Sequence, residues 1–132
     1  MITILPMEDT ARKQAILAEY PRISGKADVI VMAEKALEYG SAVLSLDGTV
    51  LKLYGITVCG QSLSELDMTG KFVADSLMRS AASYGEHHGA TRIESYIPAL
   101  NDFLEKKGFT LEDGCMATPM STIVHRTKPR ES

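Results

Sequence analysis

The sequence predicts one α+β domain, with helices on both faces of a mixed, mostly antiparallel sheet. Three observations support this fold class: strand-like runs fill residues 27–58, helical spacing begins near residue 71, and strand-like segments return after residue 91. A helix that joins two neighbouring strands makes a right-handed crossover. We therefore expect residues 50–58 and 92–97 to form a parallel pair at the centre of the sheet.

The composition is that of a single domain spanning residues 1–132. Hydrophobic residues make up 45% of the chain and charged residues 23%, which allows a core without disulfide or metal staples. The net charge of −3 gives no basic footprint, so we expect neither a nucleic-acid nor a membrane partner. Cys59 and Cys115 lack metal-ligand spacing, and no leader or spanning segment is visible. We expect a cytoplasmic protein with no metal site and a frayed tail at residues 126–132.

The first half predicts a short strand, a helix and a three-strand meander. Pro6 interrupts an apolar opening, as at the end of an edge strand, and Asp9 can cap the helix that follows. That helix should stop near Pro21 and pack through Ala11, Ala15, Ile16 and Ala18. Strand-like runs then cover residues 28–34, 37–46 and 50–58, and Asp47-Gly48 predicts a type I′ hairpin turn between the last two.

The second half changes to helical spacing. Val73, Leu77, Ala81 and Tyr84 form one stripe of a helix over about residues 71–86, closed by Gly89. A strand over residues 92–97 follows, then a helix from Pro98 to Gly108. The run at 115–125 is rich in Thr, Val and Ile and should return to the sheet.

Three segments carry a family resemblance: Val50-Leu-Lys-Leu-Tyr-Gly-Ile-Thr-Val58, Met68-Thr-Gly-Lys-Phe-Val-Ala-Asp-Ser-Leu-Met-Arg79 and Leu104-Glu-Lys-Lys-Gly-Phe109. In this order and spacing they resemble the fourth strand, the pyrophosphate loop with its helix, and the end of the fourth helix in the GNAT superfamily. That superfamily consists of acyl-CoA-dependent N-acetyltransferases. Together with the element order, the resemblance covers nearly the whole chain.

The resemblance implies that acetyl-CoA is the co-substrate, bound at two segments. The fourth strand would contact the pantetheine arm through the backbone of Ile56, Thr57 and Val58. The diphosphate would lie on backbone N–H groups at a helix N-terminus, contributed by Thr69, Gly70, Lys71, Phe72, Val73 and Ala74. Only Gly70 and Ala74 match the family pattern there. Thr69 stands where a long polar side chain is usual, and Phe72 stands where a glycine is usual.

The catalytic candidates are side chains that could move a proton. Leu104 occupies the position where many members of the family carry an acidic tyrosine, so another group would have to serve. Tyr96, Glu94 and Tyr84 are the candidates that the sequence offers. Each also has a structural interpretation, because Tyr84 completes an apolar helical stripe and Glu94 and Tyr96 share one face of a strand.

Two functions follow from the resemblance. In the first, the protein transfers an acetyl group from acetyl-CoA to an amine of a small molecule or a peptide. In the second, the fold has lost catalysis and serves as a ligand-binding or protein-interaction module. A homodimer through the last strand is compatible with both.

Overall fold

The computed structural model describes residues 1–124, so the predicted tail at residues 126–132 lies outside the described residues. The strands are β1 (Thr3–Pro6), β2 (Lys26–Glu34), β3 (Leu37–Asp47), β4 (Val50–Val58), β5 (Arg92–Ser95), β6 (Thr110–Glu112) and β7 (Cys115–Pro119). The helices are α1 (Thr10–Leu17), α2 (Met68–His87), α3 (Asn101–Glu105) and α4 (Met120–Ile123). Among these helices, none combines the length and apolar content needed to cross a bilayer.

One seven-stranded sheet has the order β1-β2-β3-β4-β5-β7-β6. Every neighbouring pair is antiparallel except β4 and β5, which run parallel with Val50 opposite Arg92 and Leu53 opposite Ser95. The predicted meander and crossover are therefore confirmed, since α2 joins the two parallel strands. The hairpin after Asp47 is also present, although its central residues are Gly48 and Thr49. Gly48 alone of these two has a positive φ, so the turn is not type I′.

A bulge at Tyr54 changes the course of β4. In the pairing with β3, Val43 lies opposite Gly55 and Leu44 lies opposite Leu53, so Tyr54 is the extra residue. A Cβ atom on Gly55 would lie 2.3 Å from the Tyr20 hydroxyl oxygen. A side chain at position 55 would therefore require the Tyr20 ring to move, and the glycine allows the Tyr20 hydroxyl to lie close to the bulged strand.

The two faces of the sheet are covered unequally. The larger core lies on the face of α2 and α3, where Leu51, Leu77, Ile93 and Leu104 are fully buried. On the other face, α1 and the segment after it cover a smaller cluster around Val29 and Val43. Helices on both faces were predicted, and the structure confirms them.

Three local predictions are wrong. Ala11, Ala15 and Ala18 are exposed, and α1 instead packs through Ile16 and Leu17. Helix α1 also ends at Leu17, earlier than the predicted stop. The final run enters the sheet as predicted over Cys115–Pro119, but it leaves the sheet after Pro119 and forms α4, while the unpredicted β6 covers the outer edge of β7. Neither edge of β7 is free to pair with a strand of a second copy, because β5 and β6 lie on its two sides.

Truncation of Leu77 should destabilise the fold strongly. Its side chain is fully buried on α2 against the sheet. Leu77→Ala leaves a cavity, which typically costs about 2–5 kcal/mol of unfolding free energy. Leu111→Ala is the control, because Leu111 is 67% exposed on β6 and its loss should change stability by about 0.5 kcal/mol or less. Urea denaturation of both variants checks this, and similar losses in the two would contradict the core assignment.

Candidate active site

A gap opens in the sheet where β4 and β5 part. The last backbone contact between them is the Tyr96 N–H, which donates to the Leu53 carbonyl at 2.9 Å. Strand β5 ends at Ser95, whereas β4 continues to Val58. Beyond this point β4 has a strand neighbour on its β3 side alone among residues 1–124. The backbone of the last β4 residues therefore borders the gap.

Alternation along β4 decides which backbone groups face this gap. The Cys59 N–H donates to the Tyr39 carbonyl at 2.9 Å, so that N–H points toward β3. Because neighbouring residues of a strand point their backbone groups in opposite directions, Thr57 also points toward β3, and Ile56 and Val58 point toward the gap. The Val58 carbonyl accepts from the Gln61 N–H at 3.1 Å. The N–H groups of Ile56 and Val58 and the carbonyl of Ile56 are thus directed at the gap.

The predicted phosphate segment lies inside α2 and not in a loop. Helix α2 begins at Met68, about three residues earlier than expected, so residues 69–74 are all helical. Gly70, Val73 and Ala74 are buried, whereas Lys71 and Phe72 are exposed, with 58% of Phe72 accessible. N–H groups beyond the first turn of a helix bind carbonyls four residues earlier. A cradle made by the backbone of all six residues is therefore wrong.

The start of α2 is closed by its own cap. The Asp67 carboxylate accepts from the Gly70 N–H at 2.8 Å and from the Gln61 side-chain amide at 2.9 Å. The Gln61 amide oxygen in turn accepts from the Asp67 N–H at 3.0 Å. Hydrogen bonds from Gly70 and Gln61 hold the pKa of Asp67 below its usual range. An ionised carboxylate thus occupies a position where a helix would otherwise bind an anion.

A basic cavity lies between the first turns of α2 and helix α3. Its volume is about 400 Å³, and we call it the lysine cavity; its lining is Met68, Lys71, Phe72, Asp75, Phe103, Lys106 and Lys107. The Lys107 ammonium lies 3.3 Å from Asp75 and 5.2 Å from the centre of the Phe103 ring. Asp75 is further paired with Arg79 at 2.9 Å. The cavity therefore combines a surplus of positive charge with two aromatic rings.

The opposite face of the sheet carries a network of charged groups at β5. We call Arg92, Glu94, Tyr96 and Glu112 the Glu94 cluster. The Tyr96 hydroxyl donates to Glu94 at 2.5 Å, and Arg92 donates to Glu94 at 3.0 Å and to Glu112 at 2.8 Å. Ile93 is buried beneath α2, so the alternation of the strand turns Glu94 to the other face. The Glu94 cluster thus lies beside the gap on the face that α1 partly covers.

The cluster keeps Glu94 ionised and Tyr96 protonated. Burial raises the pKa of Glu94, but hydrogen bonds from Tyr96 and Arg92 outweigh burial and hold that pKa below its usual range. Burial and the hydrogen bond to Glu94 raise the pKa of the Tyr96 phenol. Lys52 adds positive charge, with its ammonium 6.0 Å from the centre of the Tyr96 ring. Near neutral pH the pair is a carboxylate with a phenol donor.

Comparison with known proteins identifies the architecture. No family model matches the chain, and no curated protein sequence matches it. Among solved structures, the ribosomal-protein-S18-alanine N-acetyltransferase from Escherichia coli superimposes over 100% of both chains with a TM-score of 0.62 and 15% identity. A protein from Desulfovibrio desulfuricans described as an acetyltransferase of the GNAT family gives a TM-score of 0.62 over 91% of this chain and 99% of that chain, at 13% identity.

A third comparison includes a bound nucleotide. The Bacillus subtilis acetyltransferase, solved in complex with CoA, covers 89% of this chain and 96% of that chain, with a TM-score of 0.59 and 17% identity. The chain has the fold of the GNAT acetyltransferases. At these identities the comparisons establish the fold, and they agree with the mixed sheet and the central parallel pair predicted from the sequence.

Of the three catalytic candidates, the GNAT fold brings two together. Glu94 and Tyr96 share a hydrogen bond beside the gap. Tyr84 lies elsewhere on α2, where the centre of its ring is 4.5 Å from the centre of the His88 ring, beside a separate cavity of about 320 Å³. We therefore do not retain Tyr84 as a catalytic candidate.

Lys106, Lys107 and Phe103 line the lysine cavity but were not predicted as site residues. The two lysines lie within the segment Leu104-Glu-Lys-Lys-Gly-Phe109 that resembles the family. Two adjacent lysines at a short helix are, however, ordinarily exposed to solvent and have no binding role. Their relation to Lys71 depends on the packing of α3 beside α2, a contact between distant parts of the chain. No local pattern could have revealed it.

Proposed function

We propose that this protein is an N-acetyltransferase that uses acetyl-CoA to acetylate an amine of a small molecule or a peptide. One arrangement supports the proposal. The gap between β4 and β5 has the Glu94 cluster beside it on one face of the sheet, and the lysine cavity is formed by α2 and the end of α3 on the other face. A phosphate-bearing donor and an amine acceptor could thus approach the gap from opposite faces.

The lysine cavity has the chemistry needed for the nucleotide part of CoA. Lys71 and Lys106 can neutralise phosphates as mobile ammonium groups, and Phe72 and Phe103 offer ring faces to a purine. The backbone N–H groups of Ile56 and Val58 and the carbonyl of Ile56 can bind the amides of the pantetheine arm. In this arrangement lysine side chains replace most of the backbone cradle that the resemblance implied.

The Glu94 cluster can prepare the amine for transfer. Acetyl-CoA supplies a thioester whose carbonyl carbon bonds to the neutral amine nitrogen as the carbon–sulfur bond breaks and the thiolate leaves. The acylated nitrogen then loses its extra proton to solvent, and the thiolate takes up a proton from solvent to become the CoA thiol. Glu94 attracts the protonated amine, orients it and passes its proton to solvent. Tyr96 holds Glu94 in place through the hydrogen bond that its hydroxyl donates, and the raised pKa of the phenol disfavours direct protonation of the thiolate.

A catalytically inactive module remains the second candidate because of one observation. Asp67 places a carboxylate on the first-turn N–H of Gly70, which would repel a diphosphate at that helix end. The two candidates differ in whether acetyl-CoA binds at all. A cytoplasmic location and a homodimer that does not use β7 are further proposals, and sedimentation equilibrium measures the second.

Titration calorimetry with acetyl-CoA and, separately, with desulfo-CoA separates the two functions. If the proposal is right, both bind with micromolar affinity, because the lysine cavity and the β4 backbone contact parts that the two share. Acetyl transfer to amines is then followed by release of free CoA thiol. Absence of heat, together with an unchanged melting temperature at millimolar ligand, would reject the acetyltransferase and favour the inactive module.

A further inference from the structure

A small apolar pocket on the face of α1 is linked to the Glu94 cluster through Tyr54. Its volume is about 240 Å³, and we call it the Tyr54 pocket; its lining is Glu19, Tyr20, Pro21, Arg22, Ile23 and Tyr54. The walls come from the segment after α1 and from the bulged residue of β4. Rings, a proline and an isoleucine dominate the lining, so the pocket fits an apolar group.

Tyr54 links this pocket to the Glu94 cluster. Its ring lines the pocket and stacks on Tyr96, with ring centres 5.4 Å apart and an angle of 15° between the ring planes. Tyr96 in turn donates its hydroxyl to Glu94. A molecule in the pocket therefore lies one ring away from the Glu94–Tyr96 pair, at the bulge next to which β4 and β5 part.

The volume of the pocket limits what it can hold. About 240 Å³ is below the roughly 300–1,000 Å³ of pockets that bind larger ligands. An enclosed apolar cavity of about 150 Å³ is large enough for benzene. One aromatic ring or one branched alkyl group with its attached carbon therefore fits in the pocket.

We propose that the Tyr54 pocket holds the apolar part of the acceptor, which is a primary amine carried on one compact aryl or branched-alkyl group. This inference rests on the proposed acetyltransferase function. The apolar group lies against Tyr20, Ile23 and Tyr54, and the ammonium is attracted to Glu94, whose carboxylate is ionised near neutral pH. Burial of the group in the pocket selects such amines over hydrophilic ones.

Binding is tested without acetyl-CoA by NMR, with isoleucine methyl labels and benzylamine or ethanolamine as probe. Benzylamine should shift the Ile23 methyl signal and bind about 10- to 100-fold tighter than ethanolamine. The reason is that benzylamine buries an apolar ring in the pocket, whereas ethanolamine carries a polar hydroxyl group. Ile23→Phe should fill the pocket and remove benzylamine binding. Leu37→Phe is the matched control, since Leu37 is exposed on β3 and does not line the pocket.

Each outcome gives a decision. Equal affinity for both amines, or benzylamine binding that survives Ile23→Phe in a variant with the parent melting temperature, would overturn the proposal. Ile23→Ala supplies a second readout, because the enlarged pocket should favour 1-naphthylmethylamine over benzylamine relative to the parent protein. If benzylamine binds as expected but acetyl-CoA does not, the pocket assignment holds and the acetyltransferase function fails. If acetyl-CoA binds and ethanolamine is preferred, the pocket assignment fails and the acetyltransferase function holds.

Discussion

Glu94→Gln should reduce kcat/KM for acetyl transfer by about 10²- to 10⁴-fold, the usual range for loss of a group that moves a proton. Glutamine keeps the shape of the side chain and can still accept from the Tyr96 hydroxyl. The substitution removes the negative charge that attracts the amine. It also removes the carboxylate oxygen that receives the proton of the amine. Affinity for acetyl-CoA should not change, because the lysine cavity lies on the other face of the sheet.

Glu112→Gln is the matched control for this substitution. Glu112 accepts a hydrogen bond from the same Arg92 guanidinium at 2.8 Å, and its substitution removes the same charge. Among the contacts of residues 1–124, however, no hydrogen bond joins Glu112 to Tyr96. If the two variants lose activity equally, Glu94 acts by holding Arg92 and not at the amine. Calorimetry with acetyl-CoA and steady-state rates with benzylamine measure both effects.

The pH profile gives an independent check on Glu94. Its folded pKa is lower than its ordinary value of about 4.3, so the carboxylate is ionised from neutral pH down to below that value. The stability that it contributes is present above about pH 4.3 and is lost as the pH falls through the lower folded value. The acid limb of kcat/KM should therefore follow the pKa of the acceptor amine. A limb that stays fixed for amines of different basicity would contradict this.

Much of the architecture could be predicted because its determinants are local. The alternation in β2 to β4, the spacing of Val73, Leu77 and Ala81, and the crossover through α2 leave few arrangements open. The missed strand β6 also had a local cue. Asp113-Gly114 joins it to β7, both residues have positive φ, and Asp-Gly is a typical hairpin turn. A three-residue strand is nevertheless too short for alternation to show.

The candidate site was predictable only in part, because contacts across the sheet create it. Glu94 and Tyr96 could be paired as neighbours on one strand face. The stacking of Tyr54 on Tyr96 depends on the bulge, which the alternation pattern of β4 does not reveal. The predicted phosphate segment was wrong because Asp67 is the N-cap of α2. The helix therefore starts at Met68, and residues 69–74 are helical. The family pattern implied a loop at these residues, whereas the capping residue of this chain starts a helix there.

The double substitution Lys71→Met with Lys106→Met should weaken acetyl-CoA binding by about 100-fold or more. A hydrogen bond to a charged group contributes about 1.5–3 kcal/mol, so the loss of two phosphate contacts has at least this effect. Methionine keeps the apolar stem against Phe72 and Phe103 while it removes the charge. Lys107 is left unchanged because it pairs with Asp75, and its removal would disturb the packing between α2 and α3.

Acetyl-pantetheine shows whether the lysines act on the phosphates. It carries the same thioester and amides as acetyl-CoA but neither phosphates nor adenine, so the double variant should bind it as the parent does. Lys26→Met with Lys35→Met is the control for net charge, because both lysines are exposed and neither lines the cavity. Equal weakening of both ligands would mean that the substitutions damage the fold. Unchanged acetyl-CoA affinity would show that the nucleotide does not bind in the lysine cavity. A diphosphate could then bind at the N-terminus of α2 only if the hydrogen bond between Asp67 and Gly70 were broken.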